Sequence, residues 1–172
     1  MTEVFVAAGS NVEPLVHLRR ALDLLAARFA PLRVSRAYVN PSVGFEGADF
    51  VNLVVAFGTA LGVHEVIAGL QQAEAACGRA REAPKWAARS MDLDVLLYGD
   101  LICDQPGLVL PRPDLVRRPY MLGPMAELAP QLRHPVLGRS MESLWQELAA
   151  RDRHPMRIVE LGWPVGGKGP LS

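Results

Sequence analysis

The chain has 172 residues, and its 18 Lys plus Arg are balanced by 18 Asp plus Glu, which argues against binding nucleic acid or an anionic membrane through bulk charge. Half of the residues are apolar, which excludes a disordered chain and indicates about one globular domain. Two cysteines cannot form a disulfide framework and no apolar run reaches the length of a membrane span, so we expect a cytoplasmic protein.

The first 59 residues are predicted to contain three strands and one helix. Residues 4–8 form an apolar run that ends at a glycine, which predicts a buried strand. Residues 14–29 begin with a proline and repeat leucines at intervals of three and four, which predicts an amphipathic helix. Residues 32–39 alternate loosely and residues 50–59 are rich in valine, so both are predicted strands. The Pro- and Gly-containing segment between them is a predicted loop.

The next three segments complete the order of a known architecture. Residues 63–78 are predicted to form a second helix, residues 79–90 a long charged loop and residues 91–98 a fourth strand. The order strand, helix, strand, strand, helix, strand is typical of an α+β, ferredoxin-like βαββαβ core. In this core an antiparallel sheet of four strands carries helices on one face.

The remainder of the chain carries shorter patterns. We expect short strands at residues 101–103 and 108–110, followed by a C-terminal helical extension with helices around residues 114–128 and 140–150. One domain is expected over residues 1–163. The Gly- and Pro-rich residues 164–172 are expected to be a flexible tail.

The strand over residues 91–98 carries two carboxylates on one face. Alternate strand residues share a face, so Asp92 and Asp94 lie together with Cα atoms about 6.6 Å apart, and the odd-numbered residues from Met91 to Leu97 form an apolar opposite face. Two carboxylates this close repel each other, so a cation is expected between them. Mg²⁺ suits the position because it takes one or two carboxylates together with phosphate oxygens. The alternative is a polar face neutralised by neighbouring arginines.

A charged loop precedes this strand. It contains four cations, one acid and one aromatic residue: Arg79, Arg81, Lys85, Arg89, Glu82 and Trp86. Cations beside a carboxylate pair suit phosphoryl transfer, which is catalysed mainly by positioning and electrostatic stabilisation. The alternative is an ordinary solvated loop.

Two further polar residues lie in apolar surroundings. Glu74 falls on the apolar stripe of the second helix beside Gln71, where a carboxylate is costly unless it is paired; the alternative is a stripe-edge side chain that reaches solvent. Asn52 lies in an apolar strand with Phe50 on the same face, which suits an amide that binds the edge of a heterocycle and a ring that stacks on it. The alternative is an Asn52 bonded to neighbouring backbone.

These residues stand in an order that resembles the 6-hydroxymethyl-7,8-dihydropterin pyrophosphokinase family. The resemblance runs from residue 1 to about residue 132 and includes Ala8-Gly-Ser-Asn11, Phe50-Val-Asn52 and Tyr120-Met-Leu122. Its most specific segment is Arg89-Ser-Met-Asp-Leu-Asp-Val-Leu-Leu-Tyr-Gly99. It implies a ferredoxin-like core and transfer of pyrophosphate from ATP to the hydroxymethyl oxygen of the pterin, with release of AMP, in folate biosynthesis.

The resemblance also implies roles for individual residues. Asp92 and Asp94 would be catalytic and would bind two Mg²⁺ ions with ATP present, while Arg79 and Arg89 would be catalytic arginines of a mobile loop. The pterin would contact Asn40, Ser42, Val43, Phe50, Asn52 and Tyr120, with the ring between Phe50 and Tyr120. ATP would contact Gln71, Glu74, Arg81, Trp86, Arg89, Val95, Arg112 and Arg118.

Several residues depart from the family pattern. Arg112 stands where His is usual, and Asn40 stands where Thr is common. Ala87-Ala88 replaces a usual Gly-Pro, Glu82 stands where a basic residue is frequent, and Gly107 stands where an ATP-contacting Arg sometimes occurs. These differences concern loop closure and nucleotide affinity rather than the reaction.

Two other functions remain open from the residues alone. One is a ferredoxin-like module that binds a ligand or single-stranded RNA through the basic loop, and the other is a different Mg²⁺-dependent phosphoryl or nucleotidyl transferase. Zero net charge and the lack of interleaved aromatic residues on the strands argue against RNA. The family resemblance implies ATP and hydroxymethyl-dihydropterin as small-molecule substrates. We expect no nucleic-acid or membrane partner, and a monomer or weak dimer.

Overall fold

The computed structural model of the protein describes residues 1–29, 31–40, 49–78, 91–152 and 156–164. The strands are β1 Thr2–Ser10, β2 Arg33–Val34, β3 Ala37–Asn40, β4 Phe50–Thr59, β5 Asp92–Tyr98, β6 Cys103–Gln105, β7 Leu108–Leu110 and β8 Arg157–Val159. The helices are α1 Pro14–Phe29, α2 Val63–Ala76, α3 Pro119–Leu128 and α4 Met141–Arg151, with a short 3₁₀ helix at Pro113–Val116. The expected flexible tail lies outside the described residues from residue 165 onward.

One antiparallel sheet organises the fold. Within the described residues, six strands pair in the order β5-β1-β4-β3-β8, and β2 also pairs with β4. Helices α1 and α2 pack on one face of this sheet, because the leucines repeated along α1 meet the alternate apolar residues of β1 and β4. The predicted βαββαβ order and the α+β, ferredoxin-like class are therefore confirmed.

The C-terminal extension covers the opposite face. Helices α3 and α4 and the 3₁₀ helix form a second buried cluster with the outward residues of β1, β4 and β5, and Met125 and Leu144 belong to it. This cluster does not fully cover the end of that face where β4 and β5 carry polar residues. Asn52, Asp92 and Asp94 are therefore only partly buried. Among the described residues, no helix has the length and apolar character needed to cross a lipid bilayer.

The second predicted strand is divided in two. Between β2 and β3, the N–H of Ser35 donates to the carbonyl of Val54 at 2.9 Å, while the Ser35 hydroxyl accepts from the N–H of Val54 at 2.9 Å. The hydroxyl thus replaces a backbone carbonyl in the ladder. As a result the pairing with β4 shifts by one residue, from Val34 opposite Val55 to Tyr38 opposite Asn52.

A β-bulge corrects one expectation for β5. Phe5 of β1 lies opposite Leu97, but the next residue, Val6, lies opposite Val95, so Leu96 is the extra residue. Leu96 and Leu97 are both buried in the cluster with α3 and α4, whereas Val95 packs in the cluster with α1 and α2. The prediction that Leu97 shares the apolar face of Val95 is therefore wrong. Asp92 and Asp94 precede the bulge and keep the alternation.

The short hairpin after the core begins later than predicted. Its first strand is Cys103–Gln105 rather than residues 101–103, because a two-residue turn at Pro106 and Gly107 sets Gln105 opposite Leu108. Gly107 has a φ of +82°, a conformation that favours glycine.

Candidate functional site

Four neighbouring strands place three polar residues and a glycine in one row across the sheet. Tyr38 of β3 lies opposite Asn52 of β4, Asn52 lies opposite Gly9 of β1, and Gly9 lies opposite Asp92 of β5. Residues directly opposite each other share a face of the sheet. Asn52 and Asp92 are thus separated only by the backbone of Gly9, about 10 Å apart across two strand spacings.

Gly9 makes room for the side chain of Asn52. A Cβ atom on residue 9 would lie 2.5 Å from Asn52 Nδ2, closer than real Cβ contacts. The Asn52 amide therefore lies over β1, on the side toward Asp92. The sequence predicts Gly9 only as the end of a strand, because nothing in the local pattern places it opposite Asn52.

Two amide oxygens at this end of the sheet are buried without a donor. Asn40 is 3% exposed, and among the described residues neither Asn40 Oδ1 nor Asn52 Oδ1 has a hydrogen-bond partner. Asn40 lies opposite Phe50 at the end of β3, two residue pairs beyond the Tyr38–Asn52 pair. Buried acceptors without donors are costly, so the arrangement suits a ligand that brings N–H groups.

Two aromatic residues flank the row. Phe50 is half-buried at the start of β4, and alternation along β4 puts it on the same face as Asn52. Tyr120 is half-buried near the start of α3; burial raises its pKa, and four charged side chains also act on it: Arg118, Asp114, Arg112 and Asp94. Tyr120 thus lies near Asp94 of β5.

The second carboxylate, Asp94, forms an ion pair with Arg112. Arg112 Nη1 lies 3.7 Å from Asp94 Oδ1, and both side chains are about a third exposed at 35% and 38%. The N–H of Arg112 donates to the carbonyl of Leu96 at 3.0 Å, which fixes its backbone beside the bulge of β5. Arg112 Nε is buried and has no acceptor among the described residues.

Glu74 is bonded to β5. Its Oε2 accepts from the N–H of Leu93 at 2.8 Å, so this carboxylate on the apolar stripe of α2 is paired, as its cost of burial requires. Among the described strands β5 lies at the edge of the sheet, and Glu74 satisfies an outward N–H that no described strand accompanies. Leu93 stands between Asp92 and Asp94, so Glu74 holds the strand at the carboxylate pair.

A cavity of about 280 Å³, here named the α2–β5 cavity, opens next to Asp94. Its walls come from α2, β5, the β6–β7 hairpin and Arg112, which is two residues beyond the hairpin. They include Gln71, Glu74, Asp94, Val95, Gly107 and Arg112. The cavity is therefore lined by four residues predicted to contact ATP and by the predicted metal ligand Asp94. The four are Gln71, Glu74, Val95 and Arg112. Arg118 does not line it; this exposed residue precedes α3 and lies near Tyr120.

A carboxylate that the sequence did not single out ties α3 to β3. Glu127 accepts from the Arg36 N–H at 2.7 Å, from Arg36 Nε at 3.0 Å and from the Tyr38 hydroxyl at 2.5 Å. Burial, followed by the hydrogen bond to Glu127, raises the pKa of Tyr38 to about 12, so the phenol stays protonated and donates. No signal within α3 or β3 alone predicts this contact, because the partners are far apart in the chain.

The remaining predicted site residues lie outside the described residues. They are Ser42 and Val43 of the pterin side, and Arg79, Arg81, Trp86 and Arg89 of the charged loop. Their predicted roles stay predictions.

The carboxylate pair is chemically suited to Mg²⁺. Carboxylate oxygens are hard ligands, and Asp92 and Asp94 share a partly exposed face beside an open cavity. Among the described residues, no group of three or more His, Cys, Asp or Glu side chains could enclose a metal ion. A site with only two protein carboxylates is one in which substrate phosphates and water complete the coordination.

The chain is similar to known pyrophosphokinases. The family model described as 7,8-dihydro-6-hydroxymethylpterin-pyrophosphokinase matches residues 5–130. Similar curated proteins are named 2-amino-4-hydroxy-6-hydroxymethyldihydropteridine pyrophosphokinase. The one from Pseudomonas aeruginosa is 38% identical over 137 residues, which are 77% of this chain and 83% of the relative. The one from Methylorubrum extorquens is 35% identical over 164 residues, which are 93% of this chain and 100% of the relative.

Solved structures share the fold at low sequence identity. The HPPK-DHPS of Plasmodium falciparum, in a crystal structure with pterin and p-hydroxybenzoate, matches 87% of this chain with a TM-score of 0.70 and 13% identity. This chain spans 42% of that longer protein.

Proposed function

The chain belongs to the 7,8-dihydro-6-hydroxymethylpterin-pyrophosphokinase family, and from this premise we propose that it transfers pyrophosphate from ATP to 6-hydroxymethyl-7,8-dihydropterin in folate biosynthesis. The observation that carries the proposal is the row Asn52, Gly9, Asp92. It sets a buried amide acceptor and a carboxylate suited to a metal ion on one face of the sheet, with a glycine between them.

The pterin would bind at the Asn52 end of this row. A pterin edge carries an amino group and a ring N–H, which suit the buried oxygens of Asn40 and Asn52. Phe50 would stack on the flat ring from β4 and Tyr120 from α3. Backbone near Ser42 and Val43 is proposed, from the family resemblance, to complete this side.

ATP would occupy the α2–β5 cavity. Its lining residues Gln71, Glu74, Val95 and Arg112 are proposed to contact the nucleotide, and Arg118 is proposed to reach the phosphates from the start of α3. Arg79, Arg81, Trp86 and Arg89 of the charged loop are proposed to close over the phosphates. Charged contacts made on closure would act mainly on the rate of transfer.

The reaction would take place between these two halves, at Asp92 and Asp94. The hydroxymethyl oxygen of the pterin forms a bond to the β-phosphorus of ATP, the bond from that phosphorus to the α,β-bridging oxygen breaks, AMP leaves, and the hydroxyl proton passes to solvent. Asp92 and Asp94 would hold Mg²⁺, with two ions expected when ATP is bound. The positive charge of these ions would neutralise the phosphates and favour the alignment of the two reactants. Arg79 and Arg89 would stabilise the charge that develops on the transferred group.

The described C-terminus supports one domain over residues 1–163. After β8, the carbonyl of Leu161 accepts from Arg19 Nη1 at 3.0 Å, and Trp163 Nε1 donates to Asp23 Oδ1 at 2.8 Å. Both partners lie on α1, so residues 161–163 are held to the first helix. We propose that this domain works in the cytoplasm as a monomer or weak dimer.

The nucleotide product tests the proposed function. The protein is incubated with ATP, Mg²⁺ and 6-hydroxymethyl-7,8-dihydropterin, and the nucleotides are separated by chromatography. AMP formed only when the pterin is present supports the proposal. ADP would indicate transfer of a single phosphoryl group, and the absence of any turnover would indicate a binding protein.

A further inference from the structure

Arg112 has two features that are unusual for a structural ion pair whose hydrogen bonds are all satisfied. Its guanidinium lies 3.7 Å from Asp94, which is too long for a hydrogen bond, and its buried Nε–H has no acceptor among the described residues. A buried donor without an acceptor is costly. The guanidinium is therefore placed to gain from an acceptor that enters the α2–β5 cavity, which Arg112 and Asp94 both line.

The same guanidinium lies where its positive charge disfavours the binding of a metal ion at Asp94. A cation bound at Asp94 would experience the positive charge of Arg112 at short range, in surroundings only about a third exposed. The backbone of Arg112 is fixed by the hydrogen bond from its N–H to Leu96, so relief must come from rotation of the side chain. The phosphates of a nucleotide in the cavity offer the acceptors toward which it would rotate.

We propose that Arg112 is an exchangeable counter-cation: it neutralises Asp94 when no ligand is bound, and it moves to a nucleotide phosphate when a divalent cation takes that carboxylate. The protein then binds the cation weakly on its own and strongly together with the nucleotide. This inference rests on the proposed function for the identity of the nucleotide. It assigns to Arg112 a positioning role that acts through Asp94 as well as through the phosphates.

Mn²⁺ binding tests the first half of the exchange. Mn²⁺ is titrated into the ligand-free protein at low ionic strength, and free Mn²⁺ is measured by electron paramagnetic resonance. Arg112→Gln should bind Mn²⁺ about tenfold more tightly than the wild type, because one nearby positive charge is removed. Arg112→Lys, which keeps the charge, should stay close to the wild type. Arg151→Gln removes the same charge from the exposed end of α4 and should change nothing.

Nucleotide binding tests the second half. A non-cleavable ATP analogue with a methylene between the α- and β-phosphorus is titrated without metal, and Arg112→Gln should bind it about tenfold more weakly. Unchanged Mn²⁺ affinity in Arg112→Gln, or equal tightening in Arg112→Lys, would overturn the proposal. Unchanged analogue affinity would overturn the transfer to phosphate.

These measurements separate this inference from the proposed function. Neither titration uses the pterin or needs turnover, so both give a result even if no AMP is formed in the product assay. If the wild type binds no Mn²⁺ even with the analogue present, the metal site at Asp92 and Asp94 is contradicted, and the exchange with it. If the wild type binds Mn²⁺ with the analogue and Arg112→Gln behaves identically, only the exchange is contradicted. Circular dichroism confirms that each variant is folded.

Discussion

Gly9 and Asn52 approach so closely in β1 and β4 that a Cβ atom on residue 9 would stand 2.5 Å from Asn52 Nδ2. The contact decides where the amide of Asn52 points, because any side chain at residue 9 would push it off β1. The strand that follows on the other side of Gly9 carries Asp92. A single residue without a side chain therefore sets the spacing between the proposed pterin-binding amide and the carboxylate pair.

Replacing this glycine should impair pterin binding. Gly9→Ala is expected to weaken binding of the pterin about tenfold or more, equivalent to about 1.4 kcal/mol, because Asn52 must leave its position. Binding is measured by equilibrium titration. Gly58→Ala is the matched control, since the nearest described atom to a Cβ there is 3.9 Å away. Pterin affinity that is unchanged in Gly9→Ala would show that the amide position does not matter.

Substitutions of Asn52 and Phe50 should weaken the binding of the pterin but not that of ATP. Asn52→Ala is expected to weaken pterin binding about tenfold or more while leaving ATP binding nearly unchanged, since each lost hydrogen bond contributes about 1 kcal/mol. Phe50→Ala should act in the same direction through lost stacking. Separate titrations with each ligand measure this. Equal losses for both ligands would mean that these residues only maintain the fold.

Glu74 should stabilise the edge strand through its acceptor oxygen. Glu74→Leu leaves the N–H of Leu93 without its partner and is expected to lower the free energy of unfolding by about 1–3 kcal/mol. Glu74→Gln keeps an acceptor oxygen and should lose clearly less. Urea denaturation of both variants measures the difference. Equal losses would show that the charge of Glu74, rather than its bond to β5, is what stabilises the protein.

We expect Tyr38 to contribute to a decrease in the free energy of unfolding at high pH. Because its pKa is raised from 10.0 to about 12, the folded protein keeps the phenol proton at a pH where the unfolded chain releases it. The associated stability is fully present below pH 10 and is lost as the pH rises toward about 12. Tyr38→Phe should therefore show a smaller decrease in the free energy of unfolding across this range.

The control for this prediction is the wild type, unfolded over the same range of pH. Denaturant unfolding at a series of pH values provides the data. An identical decrease in Tyr38→Phe and the wild type would contradict the assignment to Tyr38.

The features predicted correctly from the sequence are those carried by local patterns. The alternation of β5 places Asp92 and Asp94 on one face, and the helical period of α2 puts Glu74 on its buried stripe. These periods depend only on the geometry of one element. The helix and strand order follows for the same reason.

The features missed depend on contacts between distant segments. The pairing of Gly9 with Asn52 is a matter of register between two strands, and the Ser35 hydroxyl that replaces a carbonyl acts on β4. The bulge at Leu96 depends on how β5 packs against β1. β8 has three residues, too few to show a period of two. The Arg112–Asp94 pair joins a hairpin end to a strand, which no local pattern contains.

The fate of the β-phosphorus of ATP tests the central claim most directly. The protein is given Mg²⁺, the pterin and ATP labelled at the β-phosphorus, and the labelled products are separated. Label in the pterin product, with unlabelled AMP released, is predicted for the wild type and for Asp104→Asn, an exposed change on β6. Asp92→Asn should transfer the label at least about a hundredfold more slowly than the wild type, because a ligand of the metal is lost. Label recovered in ADP, or transfer by Asp92→Asn at the wild-type rate, would contradict the account.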